Sequence, residues 1–183
     1  MLTPTPPAVP SLPAVAAIEL TEFPAAPNVP LLRATFAVIK NHPEHWDQGD
    51  WRCSTGMCFA GWASVIAGAE FVVPHALLDS LEPLEVQGHR VNPQGIACLV
   101  RHPLAEHHCC VVSTSASERL VALTGMRVNA FAQQALGLTE DQADALFDSG
   151  NSLPTLERMV EILIEDGADA DLDGAGAGPT HYL

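Results

Sequence analysis

A mainly α-helical domain is what this 183-residue sequence predicts: five to seven short helices around one buried central helix, with at most one small β-hairpin. Three observations lead there. Apolar residues make up 48% of the chain but aromatics only 5%, so leucine, valine, isoleucine and alanine must fill most of the core. Apolar residues recur at helical spacing in separate stretches, most clearly at Leu156, Met159, Val160, Leu163 and Ile164. Residues 57–67 are apolar nearly all round, the pattern of a helix enclosed by others.

The elements follow in order. Residues 1–27 carry seven prolines, which lack the N–H that a helix or central strand needs, so a disordered or polyproline-like tail is expected. The helical domain is expected over 28–167. Its first helix starts at Asn28 with Pro30 in the first turn. Leu32, Phe36 and Ile39 form its apolar stripe, widened by Leu31, Ala34 and Val38. It stops near Asn41 because Pro43 disfavours helix at His42. A polar, tryptophan-bearing loop, 42–56, leads to Thr55 as the cap of the central helix 57–67, which Gly68 ends. Gly61 costs that helix about 1 kcal/mol relative to alanine, so close approach of a neighbour is expected there.

In the middle, residues 74–81 read as a short helix and Val86-Gln87-Gly88-His89 as a hairpin turn. Asn92-Pro93 reads as a helix start with Ile96, Leu99 and Val100 behind it, and 109–113 as a strand. Residues 117–136 have a helical pattern, with a break at Gly125 and an end at Gly137. Thr139 and Gln142 form a capping box for a short helix bearing Ala143, Leu146 and Phe147. Ser152 and Pro154 open the last helix, which Gly167 closes. Residues 168–183 are rich in Gly, Ala and Asp and read as a disordered acidic tail.

Charge narrows the function. Eight basic residues stand against 22 acidic ones, a formal net charge of −14, with no basic cluster. Nucleic-acid phosphates and anionic membranes both call for Lys and Arg, so neither is an expected partner. No positively charged leader precedes an apolar run, and the longest apolar stretch, 57–69, is broken by Ser64 and too short to span a bilayer. Five cysteines without an export signal read as reduced thiols, and a cytoplasmic location follows. Seven arginines against the single Lys40, amid abundant Ala, Gly and Pro, reflect a GC-rich genome.

Two blocks resemble something more particular. His42-Pro43-Glu44-x-Trp46-x-Gln48, then Cys53 and Thr55, then Cys58-Phe59-Ala60-Gly61-Trp62-Ala63 form the first. Ala135-Leu136-Gly137-Leu138-Thr139, with Ala143, Leu146, Phe147 and Leu153, form the second. Together they resemble small uncharacterised proteins of actinobacteria and their phages. The resemblance implies a bacterial or phage origin. It brings no activity and no catalytic residues.

Three constellations could carry chemistry. His42, His45, Cys53 and Cys58 are zinc-type ligands within 17 residues, but their spacing matches no standard finger. Pro43 constrains the histidine pair and Cys58 opens an apolar helix, so no metal or other cofactor is the preferred reading and zinc the alternative. Cys58 at a helix N-terminus could be a nucleophile, with His102, His107 or His108 as base and Asn129 or Asp141 orienting it. Asp169, Asp171, Asp173 and Gly174 copy half of a calcium loop, but its twelfth position is Thr180. Common hydrolase, nucleotide-binding and metalloprotease motifs are absent. A helix-turn-helix reading of the last two helices fails because Glu157, Glu161 and Glu165 would face phosphate.

The loop itself is the leading candidate. Trp46 and Trp51 sit among His42, Glu44 and Gln48, and tryptophan is enriched where proteins bind one another. The expected function is therefore a non-catalytic module that binds another protein, a regulatory factor of phage or host. A cysteine hydrolase and a structural zinc protein are the alternatives.

Overall fold

A computed structural model describes residues 13–53, 56–73, 84–86, 89–91, 96–106, 109–113, 120–173 and 175, with the backbone alone for 84–86, 89–91, 109–113 and 120–123. Five helices lie among them: α1 (Val29–Asn41), α2 (Phe59–Ile66), α3 (Val128–Leu136), α4 (Glu140–Phe147) and α5 (Leu153–Asp166). Seven short strands accompany them: β1 (Glu70–Phe71), β2 (Leu84–Val86), β3 (His89–Val91), β4 (Leu99–Arg101), β5 (Cys109–Ser113), β6 (Leu120–Thr124) and β7 (Met126–Arg127).

The central helix is where its composition places it. Phe59, Ala60, Trp62, Ala63 and Ile66 of α2 are all buried, and α1, α3 and α4 pack around it. It begins at Phe59 rather than Met57, with Cys58 in the cap position and no side-chain cap bond. Thr55, the expected cap, lies outside the described residues. Ser64 keeps its hydroxyl satisfied in the core by bonding Ala60 O one turn back at 2.9 Å.

Local signals explain the helix ends. Asn28 Oδ1 accepts from Leu31 N at 3.2 Å and so caps α1, while its own N–H bonds Leu136 O at 2.8 Å and ties α1 to the end of α3. The buried stripe of α1 is Leu31, Leu32, Thr35 and Ile39, with Phe36 at its half-exposed edge under Lys40. Gly137 ends α3 at φ +67°, a left-handed conformation that glycine adopts without a Cβ penalty. The Thr139–Gln142 capping box is present in both directions at 3.2 Å. In α5, Leu156, Met159, Val160 and Leu163 are buried, as their spacing predicts.

The β content exceeds the single hairpin expected. The strands flanking the expected turn pair antiparallel, with Val86 opposite His89, while residues 87–88 lie outside the described residues. The strand at 109–113 also forms, but its partner is β6, which pairs Cys109 with Thr124 and Ser113 with Leu120. A helix over 117–136 is therefore corrected: of the described residues in that range, 120–136, only 128–136 are helical. The run Leu120-Val-Ala-Leu-Thr is short, apolar and partly β-branched, so its periodicity fits strand and helix alike, and pairing with a distant segment decides. Gly125, at φ +143°, then turns the chain, and a Cβ there would lie 2.7 Å from Val100 O. Leu99 and Val100, expected behind a helix start, instead lie in β4, the middle strand of the antiparallel sheet β1-β4-β7. Residues 74–81 and 92–95 lie outside the described residues.

Both flanks of the helical unit contribute to the core. Residues 13–27 form no helix or strand, yet Val15, Ile18, Leu20 and Phe23 pack against it, and Ile18 N bonds Ile66 O at 2.6 Å. The Phe23 ring meets Phe131 edge-on at 5.7 Å. Beyond α5, Ala170, Leu172 and Ala175 are buried, and Gln142 Nε2 lies 3.1–3.4 Å from the carbonyls of Gly167, Ala168 and Ala170. Composition alone reads these segments as tails because prolines and aspartates hide a few well-spaced apolar anchors. Among the described residues no helix is long and apolar enough to cross a membrane.

Candidate functional site

The loop between α1 and α2 is built against the N-terminal end of α2. A 3-10 turn, Pro43–His45, leads into a parallel bridge between Trp46 and Met57. Met57 N bonds His45 O at 3.1 Å, Asp47 N bonds Met57 O at 3.2 Å and Cys58 N bonds Asp50 O at 3.0 Å. Gly56 and Gly61 permit this approach. A Cβ on Gly56 would collide with the His45 carbonyl, and one on Gly61 with the Trp51 carbonyl and with Met57 Cβ at 2.8 Å. Gly61 thus has the close neighbour its place in a helix implies. Gly61→Ala, which would ordinarily stabilise a helix by about 1 kcal/mol, is expected here to destabilise by about 1–3 kcal/mol. Chemical denaturation of the two proteins checks the sign.

Gln48 is the hub. It is 7% exposed and makes four hydrogen bonds. Its Oε1 accepts from Trp46 Nε1 at 3.0 Å and from Phe59 N, an otherwise orphan amide of α2, at 3.2 Å. Its Nε2 donates to Leu146 O at 3.1 Å and Asp148 O at 3.2 Å, at the end of α4. One amide side chain therefore joins the loop, α2 and α4, and both of its ends are spent internally.

The three tryptophans divide accordingly. Trp62 is 1% exposed and donates Nε1 to His45 O at 3.1 Å. Trp46 is half-buried against the core with its N–H on Gln48. Trp51 is 36% exposed, the one exposed large hydrophobic side chain among the described residues. Its ring meets Phe147 of α4 edge-on at 6.3 Å. Sequence reasoning placed both loop tryptophans and Gln48 on one binding surface; the structure turns Trp46 and Gln48 inward and leaves Trp51 outside.

The charged members of the loop face solvent. Glu44 is exposed, with Oε1 3.5 Å from His42 Nδ1 and 4.0 Å from His45 Nε2. Asp47 and Asp50 are exposed, and their carboxylates and Cys53 Sγ all lie within 4.8 Å of one another. Arg52 does the opposite. Its guanidinium carbon lies 4.2 Å over the Phe71 ring and Nη1 donates to Val73 O at 2.5 Å, while burial pulls its pKa down to about 10. The sequence does not place Phe147, Asp148 and Arg52 at this site, because nothing local shows that α4 meets the loop or that an arginine turns inward.

The alternative sites fare differently. His42, His45, Cys53 and Cys58 do not converge: among the described residues the only three-ligand group is Asp47, Asp50 and Cys53. Cys58 caps α2 as a nucleophile would, but it is 1% exposed and burial pushes its thiol up to about 11, against the direction activation needs. His107 and His108 lie outside the described residues. Asp169, Asp171 and Asp173 form no shared ligand set. Asp171 and Asp173 line an open groove of about 930 Å³ with Asp141, Asp144 and Asp148.

His102, another base candidate, is spent on structure. Its Nδ1 accepts from Leu104 N at 3.1 Å, so the neutral ring carries its proton on Nε2. Burial holds its pKa below the ordinary value near 6.5. The unfolded chain then binds the proton more readily than the folded one, so the stability this ring supplies is present above pH 6.5 and is lost as pH falls toward the lowered folded value. His102→Asn, whose side-chain oxygen can still accept from Leu104 N, is expected to flatten the stability profile just below pH 6.5. Unfolding midpoints across that range check it.

Fold and site together define a mainly helical domain with small antiparallel sheets, whose first interhelical loop is clamped from within and exposes one tryptophan. Comparison with known proteins returns no matching family model, no similar curated protein and no similar solved structure.

Proposed function

We propose that this chain is a non-catalytic module that binds another protein through the Trp51 face. The observation that carries this reading is the exposure of Trp51 on an otherwise internally bonded loop. A tryptophan is costly to leave in water and carries much of the energy where proteins meet. The loop beneath it is tied down by Gln48 and by the Trp51–Gly61 contact, so presenting the ring to a partner requires little further ordering. Following the resemblance noted above, we take the partner to be a regulatory protein of a bacterial or phage-infected cell.

The test places a photo-crosslinking amino acid at Ser149, beside Phe147 and Asp148, in extract of the source organism. A discrete crosslinked partner is expected from that position, and none from the same probe at Arg158 on the exposed side of α5. Trp51→Ala should abolish the crosslink at a stability cost of about 1–3 kcal/mol, because the residue is only 36% exposed, so the crosslink is read at a temperature where circular dichroism shows the variant still folded. An unchanged crosslink in Trp51→Ala, or equal crosslinking from Arg158, would refute the reading.

A further inference from the structure

The charge of the loop that carries Trp51 is one-sided. Glu44, Asp47 and Asp50 of the loop are exposed, and so is Asp148 at the end of α4, whose carbonyl Gln48 holds against the loop. The loop's own cation, Arg52, is turned inward over Phe71 and bonded to Val73 O. No cation among the described residues forms an ion pair with Asp47 or Asp50; the ion pairs are those of Lys40 with Glu157 and of His42 and His45 with Glu44. Asp47 is further fixed in place because its Oδ1 accepts from Gly49 N at 2.9 Å. Two carboxylates within 4.8 Å repel each other, and a shared cation relieves that repulsion. The residue that follows Asp50 in the chain is the exposed Trp51, and an indole is the aromatic face that cations favour most.

We infer that the Trp51 face takes an arginine from a basic segment of the partner protein, its guanidinium stacked on the Trp51 indole and paired with Asp47 and Asp50. The inference rests on the protein-binding reading and names the partner's chemistry. Arginine fits better than lysine because a planar guanidinium can stack on a ring and present parallel donors to two carboxylates at once, whereas an ammonium is a compact, strongly hydrated point charge. Electrostatic complementarity with a rim of this sign also speeds encounter with a basic partner.

The probe is a soluble peptide of alternating glycine and arginine, titrated into the full ¹⁵N-labelled chain while the three indole N–H resonances are followed. The Trp51 resonance, assigned by its loss in Trp51→Phe, should shift saturably, with those of Trp46 and Trp62 unmoved. The glycine-lysine peptide should bind more weakly and the glycine-glutamate peptide not at all. Replacing both aspartates, Asp47→Asn with Asp50→Asn, should weaken arginine-peptide binding by about tenfold, as expected for two partly exposed pairs. A Trp51 resonance that ignores the arginine peptide, or that responds equally to the glutamate peptide, overturns the inference. So does a shift produced by one equivalent of zinc chloride alone and lost in Cys53→Ser, which would assign the carboxylate pair to a metal. A Ser149 crosslink that depends on Trp51 in a protein deaf to the arginine peptide would keep the protein-binding reading and reject only the arginine.

Discussion

Trp62→Ala is expected to destabilise the protein by about 3–5 kcal/mol, the range for deleting a large aromatic from a packed interior. The ring is 1% exposed on the helix that every other helical layer surrounds except α5, and its N–H is bonded to His45 O. The substitution therefore opens a cavity in the core and also frees a carbonyl that anchors the loop. Denaturant unfolding should show a lower midpoint. A folded variant of unchanged stability would mean that α2 is not the centre of the domain.

Gln48→Ala should cost about 3 kcal/mol, far more than a polar loop residue ordinarily does. The loss leaves Phe59 N without its acceptor and Trp46 Nε1 without its partner, and it unties Leu146 and Asp148 of α4 from the loop. Leu146 O retains a bond from Asn151 Nδ2 at 3.1 Å, which limits the cost on that side. Gln48→Glu is a sharper probe of the same hub. It keeps the shape but replaces the donor that faces two carbonyls with an acceptor, so it too should destabilise at neutral pH. Urea unfolding of both variants against wild type measures the effect. A change within about 0.5 kcal/mol, the ordinary surface range, would show that Gln48 is no hub.

These two side chains also show what a single sequence can reveal here. The burial of Trp62 was legible because it lies within the longest apolar run of the chain. The start of α1 at Asn28, the Thr139–Gln142 box and the stripe of α5 were legible because each signal spans only a few residues. Gln48 was not: its partners on α4 lie 98 and 100 residues away, and a glutamine among tryptophans and acids reads equally well as a contact residue. The same non-local cause hid the pairing of Leu120–Thr124 with Cys109–Ser113. Arg52 carries a related lesson: charge alone predicts solvent, but a ring and a carbonyl within reach turned it inward. Of the candidate site, the loop itself and Trp51 were visible, whereas the division between inward and outward residues required the fold.

That division is the centre of the account, and collisional quenching of tryptophan fluorescence by acrylamide tests it most directly. The wild-type protein should show its most readily quenched indole at Trp51, a slower component from half-buried Trp46 and a protected one from Trp62. In Trp51→Phe the readily quenched component should vanish. If Trp51→Phe stays as quenchable as the wild type, the exposed ring is another tryptophan, and both the clamp and the contact face drawn around Trp51 are wrong.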